Sequence, residues 1–486
     1  MHSQTMAFRR RVRDCMRAPP PTVTQELPAL SVVARMAEAG ASAVVVVDPQ
    51  GGPSGILTQQ DVVQRIVGRP AMGRTVAALM TRPVVTVTED QLLYEAIGLM
   101  RRLGLHHMPV VDAAGRLTGM FDLHEALTAA MPGLVANIDR LTHESSLDGL
   151  REVKAAQVQL AADLFAEHVP APDILDLVSS INNDIYRRLL ALELAMLRDE
   201  GWGEPPVAFC TIVMGSGGRG ESLLFPDQDN GFILDNHADS ECARIDAFFI
   251  ELASRMTDQL DQLGFPRCRG GVMATNPVWR KTRSQWRWQL ERWMAKATDA
   301  ALLFCDILFD FRGVYGTDAF AEELRELILA SCRQNPGFPR QMYGVQAEHR
   351  AGLGWFNRLL MERHDTAHKG EINLKLAGAL PLAEAVRLLA LKEGIRATGT
   401  LARLEKLAAA GRVDSDAEDQ LHAAFEHIAG LQLRQQIADH QGGRPVSSFV
   451  DPDRLTTREI GLLKQAFKAI NDFRAHVRAE LTGEIF

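Results

Sequence analysis

The amino-terminal part of the chain repeats itself at an offset of 64 residues, and this repeat restricts the fold more than any other feature. Asp48 aligns with Asp112, Met16 with Met80, Pro19 with Pro83, and Thr22-Val23-Thr24 with Thr86-Val87-Thr88. Met36 aligns with Met100, Gly40 with Gly104, Val46-Val47 with Val110-Val111, and Gly51 and Gly55 with Gly115 and Gly119. These are about a dozen identities without a gap, the mark of a duplicated supersecondary unit. Each copy predicts a short strand (Thr22–Thr24; Val84–Thr88), then a helix with apolar residues at helical spacing, as at Ala96, Ile97, Met100 and Leu103. A glycine ends the helix, an apolar strand follows (Ala43–Val47; Met108–Val111), and a glycine turn leads to another strand. One copy cannot bury its sheet alone, so the two are expected to pack together.

The remaining length leaves room for about three domains in all. Acidic residues outnumber basic ones, 61 to 53, for a net charge of −8, which provides no general footprint for a nucleic-acid backbone. No apolar stretch approaches a bilayer span. Arg9, Arg10 and Arg11 are not followed by an apolar segment with a cleavage site, so no secretory signal is expected. The six cysteines are scattered and form no CxxC pair, which fits a reducing cytoplasm rather than a zinc ribbon or disulfide framework.

The repeat resembles a pair of cystathionine beta-synthase (CBS) motifs, a Bateman module, over residues 16–131. The resemblance implies an adenine nucleotide in a cleft between the motifs, and a homodimer formed through the module. The family's binding signature is intact in the first copy, Gly55-Ile56-Leu57-Thr58-Gln59-Gln60-Asp61. Thr58 would donate to phosphate and Asp61 would accept from ribose hydroxyls. The second copy has Asp122 and Glu125 in those places, and a carboxylate there repels phosphate, so at most one working site is expected. A pair that only braces or dimerises the protein is the alternative. His106 and His107 read as a polar lead-in to a strand rather than metal ligands, having no spaced partners.

Residues 132–200 read as a helical connector. Ile174, Val178, Ile181, Ile185, Leu189, Leu192 and Met196 form one apolar face, Pro170 and Pro172 require at least two helices, and the turn Glu200–Pro206 closes the segment. A packing role is expected for it.

An apolar strand, Val207–Met214, then runs into Gly215-Ser216-Gly217-Gly218-Arg219-Gly220-Glu221-Ser222, followed by Pro226-Asp227-Gln228-Asp229-Asn230-Gly231. Gly215, Gly217 and Gly220, with Asp235 further on, formally satisfy a dinucleotide fingerprint, but that reading needs a long helix where Pro226 interrupts. The competing reading rests on Asp227 and Asp229. Carboxylates at i and i+2 on a strand share one face, and their repulsion is relieved by a cation, so the pair is a candidate divalent-metal clamp. Backbone amides of the Gly-Ser turn suit terminal phosphates, and Arg219 can neutralise further phosphate charge.

These residues resemble the DNA polymerase beta nucleotidyltransferase superfamily, whose signature is Gly-Ser or Gly-Gly, a spacer, and two carboxylates one residue apart. Gly218-Arg219-Gly220-Glu221 narrows the likeness to the branch with the PII-protein uridylyltransferases, and further to the nucleotidyltransferase-like family that follows CBS pairs in bacterial signalling proteins. The likeness continues through Gly270–Trp279 and Asp310–Gly316 and covers most of residues 140–480. It implies transfer of a nucleoside monophosphate from a nucleoside triphosphate to a hydroxyl acceptor, a protein side chain among them, with two Mg²⁺ or Mn²⁺ ions. It also implies catalytic and metal roles for Asp227, Asp229 and a third carboxylate, Asp310 or else Asp306. Gly215, Ser216, Arg219 and Lys375 would bind the nucleotide; Arg387 is read either as a second cation facing the cleft or as a solvated or helix-end residue. The middle residue of the acidic pair, polar Gln228, has polar counterparts in the closest family. From 320 onward the chain reads as helices. Asn373 departs from the family's Asp, and His364 and His368 at i and i+4 lack a third ligand.

The resulting expectation is a multidomain α/β and α protein: an extension over 1–15, a tandem CBS pair over 16–131, a helical connector over 132–200, a polymerase-beta-like α+β nucleotidyltransferase domain over 201–320, and a C-terminal helical domain over 321–486. Neither nucleic acid nor a membrane is an expected partner. A nucleotide-sensing scaffold without turnover is the competing functional class.

Overall fold

In the computed structural model, each copy of the repeat forms a three-stranded sheet of the same topology, and the two sheets match down to their register. The structure describes residues 11–62, 75–91, 96, 99–100, 103, 105, 107–122, 146–347 and 349–483. Ile97, Gly104, His106, Glu125 and residues 1–10 of the expected extension lie outside the described residues. In the first copy β1 (Thr22–Val23) pairs in parallel with β2 (Ala43–Val47), which pairs antiparallel with β3 (Pro53–Thr58). Helix α1 (Ala29–Ala39) joins β1 to β2 and ends at Gly40, whose φ of 59° is the left-handed conformation that glycine adopts without strain. A short helix, α2 (Gln59–Val62), follows β3. In the second copy β4 (Val87–Thr88), β5 (His107–Val111) and β6 (Leu117–Asp122) repeat the arrangement. Val45 lies opposite Ile56, and Pro109 opposite Met120, and both sheets shift register after the equivalent valines, Val46 and Val110. Ala43, Val45 and Ile56 of one copy pack with Met120 of the other, so each sheet covers apolar surface that its twin would leave wet. These elements belong to the first of two units, Met1–Asp139; the second is Arg140–Phe486.

The second unit is built on a four-stranded mixed sheet of order β10-β7-β8-β9, formed by β7 (Phe209–Val213), β8 (Asn230–Leu234), β9 (Arg280–Thr282) and β10 (Arg312–Gly316). Strand β7 is antiparallel to both neighbours, and only β8 and β9 run in parallel. This excludes the dinucleotide fold, which needs parallel strands and a long helix after the first. The 132–200 segment contributes two helices, α3 (Leu147–Ala166) and α4 (Ala171–Asp199), with Pro170 capping the second. They are not a separate connector. The stripe from Ile174 to Leu189 is buried within the second unit, while Met196, expected on the same face, is 36% exposed.

Helix α5 (Gly215–Arg219) follows β7, and α6 (Cys242–Gln262), α7 (Arg283–Lys296), α8 (Asp299–Leu308), α9 (Asp318–Gln334) and α10 (Phe338–Gln346) complete this half. Capping is standard: Thr282 Oγ1 accepts from Gln285 N at the start of α7, and Thr282 N donates in return to Gln285 Oε1. The carboxy-terminal half has a two-stranded ribbon, β11 (Ile372–Asn373) with β12 (Phe449–Val450), and four helices: α11 (Leu380–Lys392), α12 (Thr400–Ala409), α13 (Ser415–Gln441) and α14 (Thr457–Thr482). Ile212 and Ile233 of the sheet belong to the same buried core as Leu382, Val386, Ile428 and Phe467 of the helices. The expected boundaries at 200 and 320 therefore do not divide the core. Among the described residues no helix is long and apolar enough to cross a membrane.

Candidate active site

The acidic pair enters β8 as an alternation set by the strand period. Asp227 is exposed, Gln228 is fully buried, and Asp229 is partly buried on the Asp227 side. Gln228 points away from the carboxylates and donates from Nε2 to the carbonyls of Thr257 (3.0 Å) and Phe265 (2.9 Å). Its polarity serves to anchor the strand, which answers why a polar residue stands between two acids. Met214 N bonds to the Asp229 carbonyl at 2.8 Å, bringing the Gly-Ser turn against the pair. Gly215 has φ of 59°, and a Cβ there would lie 2.9 Å from Asp229 Oδ2, so no other residue fits without displacement. Gly218 is as constrained: a Cβ would meet the Asp310 carbonyl oxygen at 2.1 Å.

A cleft of about 640 Å³ opens here. Ser216, Arg219, Asp227 and Asp229 line it from the sheet side, and Lys375 and Asn373 from the carboxy-terminal half. Burial pushes the Asp229 carboxyl up to about 6, against a hydrogen bond from Cys268 and the attraction of Lys375. A carboxylate in that condition is one that a cation would stabilise. Mg²⁺ commonly takes one or two protein carboxylates with the rest of its shell from phosphates and water, so Asp227 and Asp229 suit one such ion. Among the described residues no cluster of three His, Cys, Asp or Glu side chains is arranged to hold a metal.

Asp310 is the main correction. It is fully buried and does not line the cleft. Its Oδ2 accepts from Arg219 (2.9 Å) and Arg387 (2.5 Å), and its Oδ1 from Arg403 (2.6 Å). Burial alone would raise its pKa, but Arg387, Arg403 and Arg219 together hold the carboxyl well below the usual range. With three guanidinium groups on its two oxygens and no exposure to the cleft, Asp310 is not open to a divalent cation in this arrangement. The fallback, Asp306, accepts on Oδ1 from Arg387 and Gln346, does not line the cleft, and burial pushes its carboxyl up to about 6. Arg387 is a correction too: it is 1% exposed and faces the two aspartates, not the cleft. Arg387 and Arg403 lie on α11 and α12, far along the chain, and no local spacing announces that they will meet Asp310. What the cluster does is hold Arg219 at the cleft, with Glu221 fixing its Nε at 2.7 Å.

Sequence reasoning also missed the back wall. Lys154 of α3 is buried and donates to Gln157 Oε1 (2.7 Å), Asn182 Oδ1 (2.9 Å) and the Leu224 carbonyl (2.8 Å), with its ammonium 4.1 Å from the Phe265 ring centre. Burial pushes its pKa down to about 7. Ser179 of α4 accepts from Ser222 N, and Gln436 of α13 accepts from Leu224 N. The segment that leads into Asp227 is thus held by helices that looked like plain packing. The sequence signal was a set of polar residues, Lys154, Gln157, Ser179, Asn182, Asn183 and Glu193, which the fold buries among apolar ones.

His368 bonds to Glu371 and stacks on Phe449 at 4.0 Å between ring centres, so it is not half of a metal pair. Asn373 caps the next turn by accepting from Leu376 N. In the first unit Thr58 donates from Oγ1 to Asp61 Oδ2 at 2.8 Å, at the start of α2. In the second copy the equivalent of Thr58, Asp122, pairs instead with His107 at 2.9 Å.

Fold and site together define a CBS pair joined to a polymerase-beta-like nucleotidyltransferase unit. Family models agree. The CBS domain matches residues 12–68 and 76–131, "Putative nucleotidyltransferase DUF294" matches 155–300, and "Putative nucleotidyltransferase substrate binding domain" matches 336–481. The chain is a CBS-domain protein carrying the DUF294 nucleotidyltransferase domain and its substrate-binding partner. It is similar to an uncharacterized protein of Methanopyrus kandleri (35% identical over 113 residues, 23% of this chain and 57% of that one). It is also similar to the inosine-5'-monophosphate dehydrogenase of Mycobacterium leprae (35% over 85 residues, 17% of this chain and 15% of that one). The chain spans only 57% and 58% of the lengths of the first two curated relatives. Among solved structures it is similar to CBSX2 of Arabidopsis thaliana, described in complex with AMP (22% identity, 25% of this chain and 95% of that one, TM-score 0.22). The CBS domain of a membrane protein from Sphaerobacter thermophilus is another (26% identity, 26% and 92%, TM-score 0.23).

Proposed function

We propose that this protein is a cytoplasmic nucleotidyltransferase that moves a nucleoside monophosphate from a nucleoside triphosphate to a hydroxyl acceptor, in the manner of a protein uridylyltransferase. The observation that carries this is the Asp227–Asp229 pair facing one cleft with Ser216, Arg219 and Lys375. Asp227 and Asp229 would hold a Mg²⁺ or Mn²⁺ ion, which neutralises triphosphate charge and polarises the phosphate under attack. Arg219 is already oriented by Glu221 and Asp310, so it offers positive charge without reorganising. Lys375, exposed on the facing wall, adds a second cation for the triphosphate. Ser216 and Gly215 bring the turn backbone beside the acids. The acceptor oxygen forms its bond to the alpha phosphorus as the bond to pyrophosphate breaks. With Asp310 occupied, the chain's own carboxylates account for one ion rather than two. An adenine nucleotide at Thr58 and Asp61 would regulate the reaction, and the CBS pair would form a homodimer.

The withdrawal of Asp310 also favours a second reading, a scaffold that binds nucleotide without turnover. Incubation with labelled ATP, UTP, CTP and GTP, Mg²⁺ or Mn²⁺ and lysate acceptors separates the two. Pyrophosphate release that vanishes in Asp229→Asn supports the enzyme; no release with any nucleotide leaves the scaffold.

A further inference from the structure

The cleft is lined by groups of two chemistries. Asp227, Asp229, Arg219 and Lys375 suit a metal and phosphates, whereas the rest of the lining includes Leu382 of α11, Phe425 and Ile428 of α13, and Phe449 of β12. A polyphosphate gains nothing from an apolar, aromatic wall; a flat heterocycle does. Polar side chains interrupt that wall, Gln432, Gln436, Ser447 and Ser448 among them. Gln432 is 3% exposed, lines the cleft, and its Nε2 has no hydrogen-bond partner. Buried amides are nearly always paired, so an orphan in a cleft wall marks a group awaiting a partner. Gln436, one turn further along α13, shows the contrast: its Oε1 is already taken by Leu224 N at 3.0 Å. Phe449 is held rigidly, because His368 stacks on it with an interplanar angle of 2° and Glu371 fixes His368 at 2.7 Å. A preset ring loses little freedom when a ligand packs against it.

We infer that the part of the cleft lined by α13 and β12 is the nucleoside subsite: a nucleobase packs against Phe449 and Phe425, and the Gln432 carboxamide reads its edge. The inference rests on the nucleotide reading of the site and deepens it, because it places base selection on the carboxy-terminal half and not on the Gly-Ser turn. A carboxamide offers one donor and one acceptor side by side, which matches the mixed edges of nucleobases and gives an inorganic polyphosphate no advantage. Phosphates then extend toward Asp227 and Asp229, so base and phosphates are read by separate residues.

Calorimetry on the full chain with Mn²⁺ and non-hydrolysable forms of the four triphosphates tests this, with inorganic tripolyphosphate as the base-free probe. The wild type should bind at least one nucleotide more tightly than tripolyphosphate. Gln432→Leu, of similar volume, should lose about tenfold for that nucleotide, the scale of one buried neutral hydrogen bond. Its tripolyphosphate affinity should stay within about twofold, which also shows that the variant is folded. Phe449→Leu should weaken all four nucleotides together. An unchanged nucleotide profile in Gln432→Leu overturns the subsite, as does a wild type that binds tripolyphosphate as tightly as every nucleotide. A wild type that binds no triphosphate at all overturns the nucleotide reading and the subsite with it.

Discussion

Two pairs of aspartates in the same unit have opposite fates. Asp227 and Asp229 face a cleft, where burial and Asp227 raise the Asp229 pKa against Cys268, Lys375 and Arg219. Asp306 and Asp310 are enclosed with Arg219, Arg387 and Arg403. Side-chain chemistry is identical in the two pairs, so environment alone separates them. A carboxylate with spare oxygen lone pairs in a cleft can recruit a cation, whereas one saturated by guanidinium groups is a structural anion. Arg219 joins the two sites, since Asp310 of the buried pair holds it and Asp229 of the open pair feels its charge.

Breaking the buried member should cost most. Asp310→Ala leaves three arginines without their shared counter-charge, and a loss of about 3–5 kcal/mol is expected from denaturant unfolding. If Asp310→Ala unfolds normally yet loses metal binding, the roles of the two pairs are reversed. Asp229→Asn should do the converse, lowering pyrophosphate release by roughly a hundredfold or more while unfolding stability changes by less than about 1 kcal/mol. Equal loss of stability in both variants would erase the distinction.

A third test concerns the wall behind the open pair. The Lys154 pKa is depressed in the folded state, to about 7 from an ordinary 10.5. Between those values the unfolded chain holds the proton and the folded chain has released it, so this lysine makes stability rise with pH across that window. The slope approaches about 1.4 kcal/mol per pH unit, and the penalty is complete below the lower value. Lys154→Met should remove that slope, as read from the difference in unfolding free energy between the two proteins at pH 7, 8 and 9. A parallel pair of curves would mean that Lys154 stays charged in the fold.

The smallest effect is expected in the CBS pair, where the two copies offer their own contrast. Calorimetry with AMP and ATP should lose its signal in Asp61→Ala and keep it in Asp122→Ala, because only the first copy has the Thr-and-Asp arrangement. Equal loss in both variants would show that the two copies contribute together.

The duplicated fold was legible because many of the repeated residues have a local job: Gly40 ends a helix, Gly51 and Gly115 turn, and Val46 and Val110 fill the sheets. The acidic pair was legible for a similar reason, since i and i+2 on a strand share a face wherever the strand goes. Asp310 was misjudged because its surroundings come from α5, α11 and α12, which converge only after the chain has folded. Asp310 has the alternation of a strand residue, and nothing near it in the chain distinguishes a metal ligand from an arginine acceptor. Lys154 was overlooked on the same grounds, its three acceptors belonging to α3, α4 and the segment before Asp227.

Short-range periodicity and spacing therefore settled the CBS sheets, the Gly-Ser turn and the shared face of Asp227 and Asp229, because those properties depend on neighbours a few residues apart. Long-range packing settled which carboxylates stay open, which arginine reaches the cleft and which glutamine is left unpaired, because charge and solvation are set by groups brought together from distant parts of the chain.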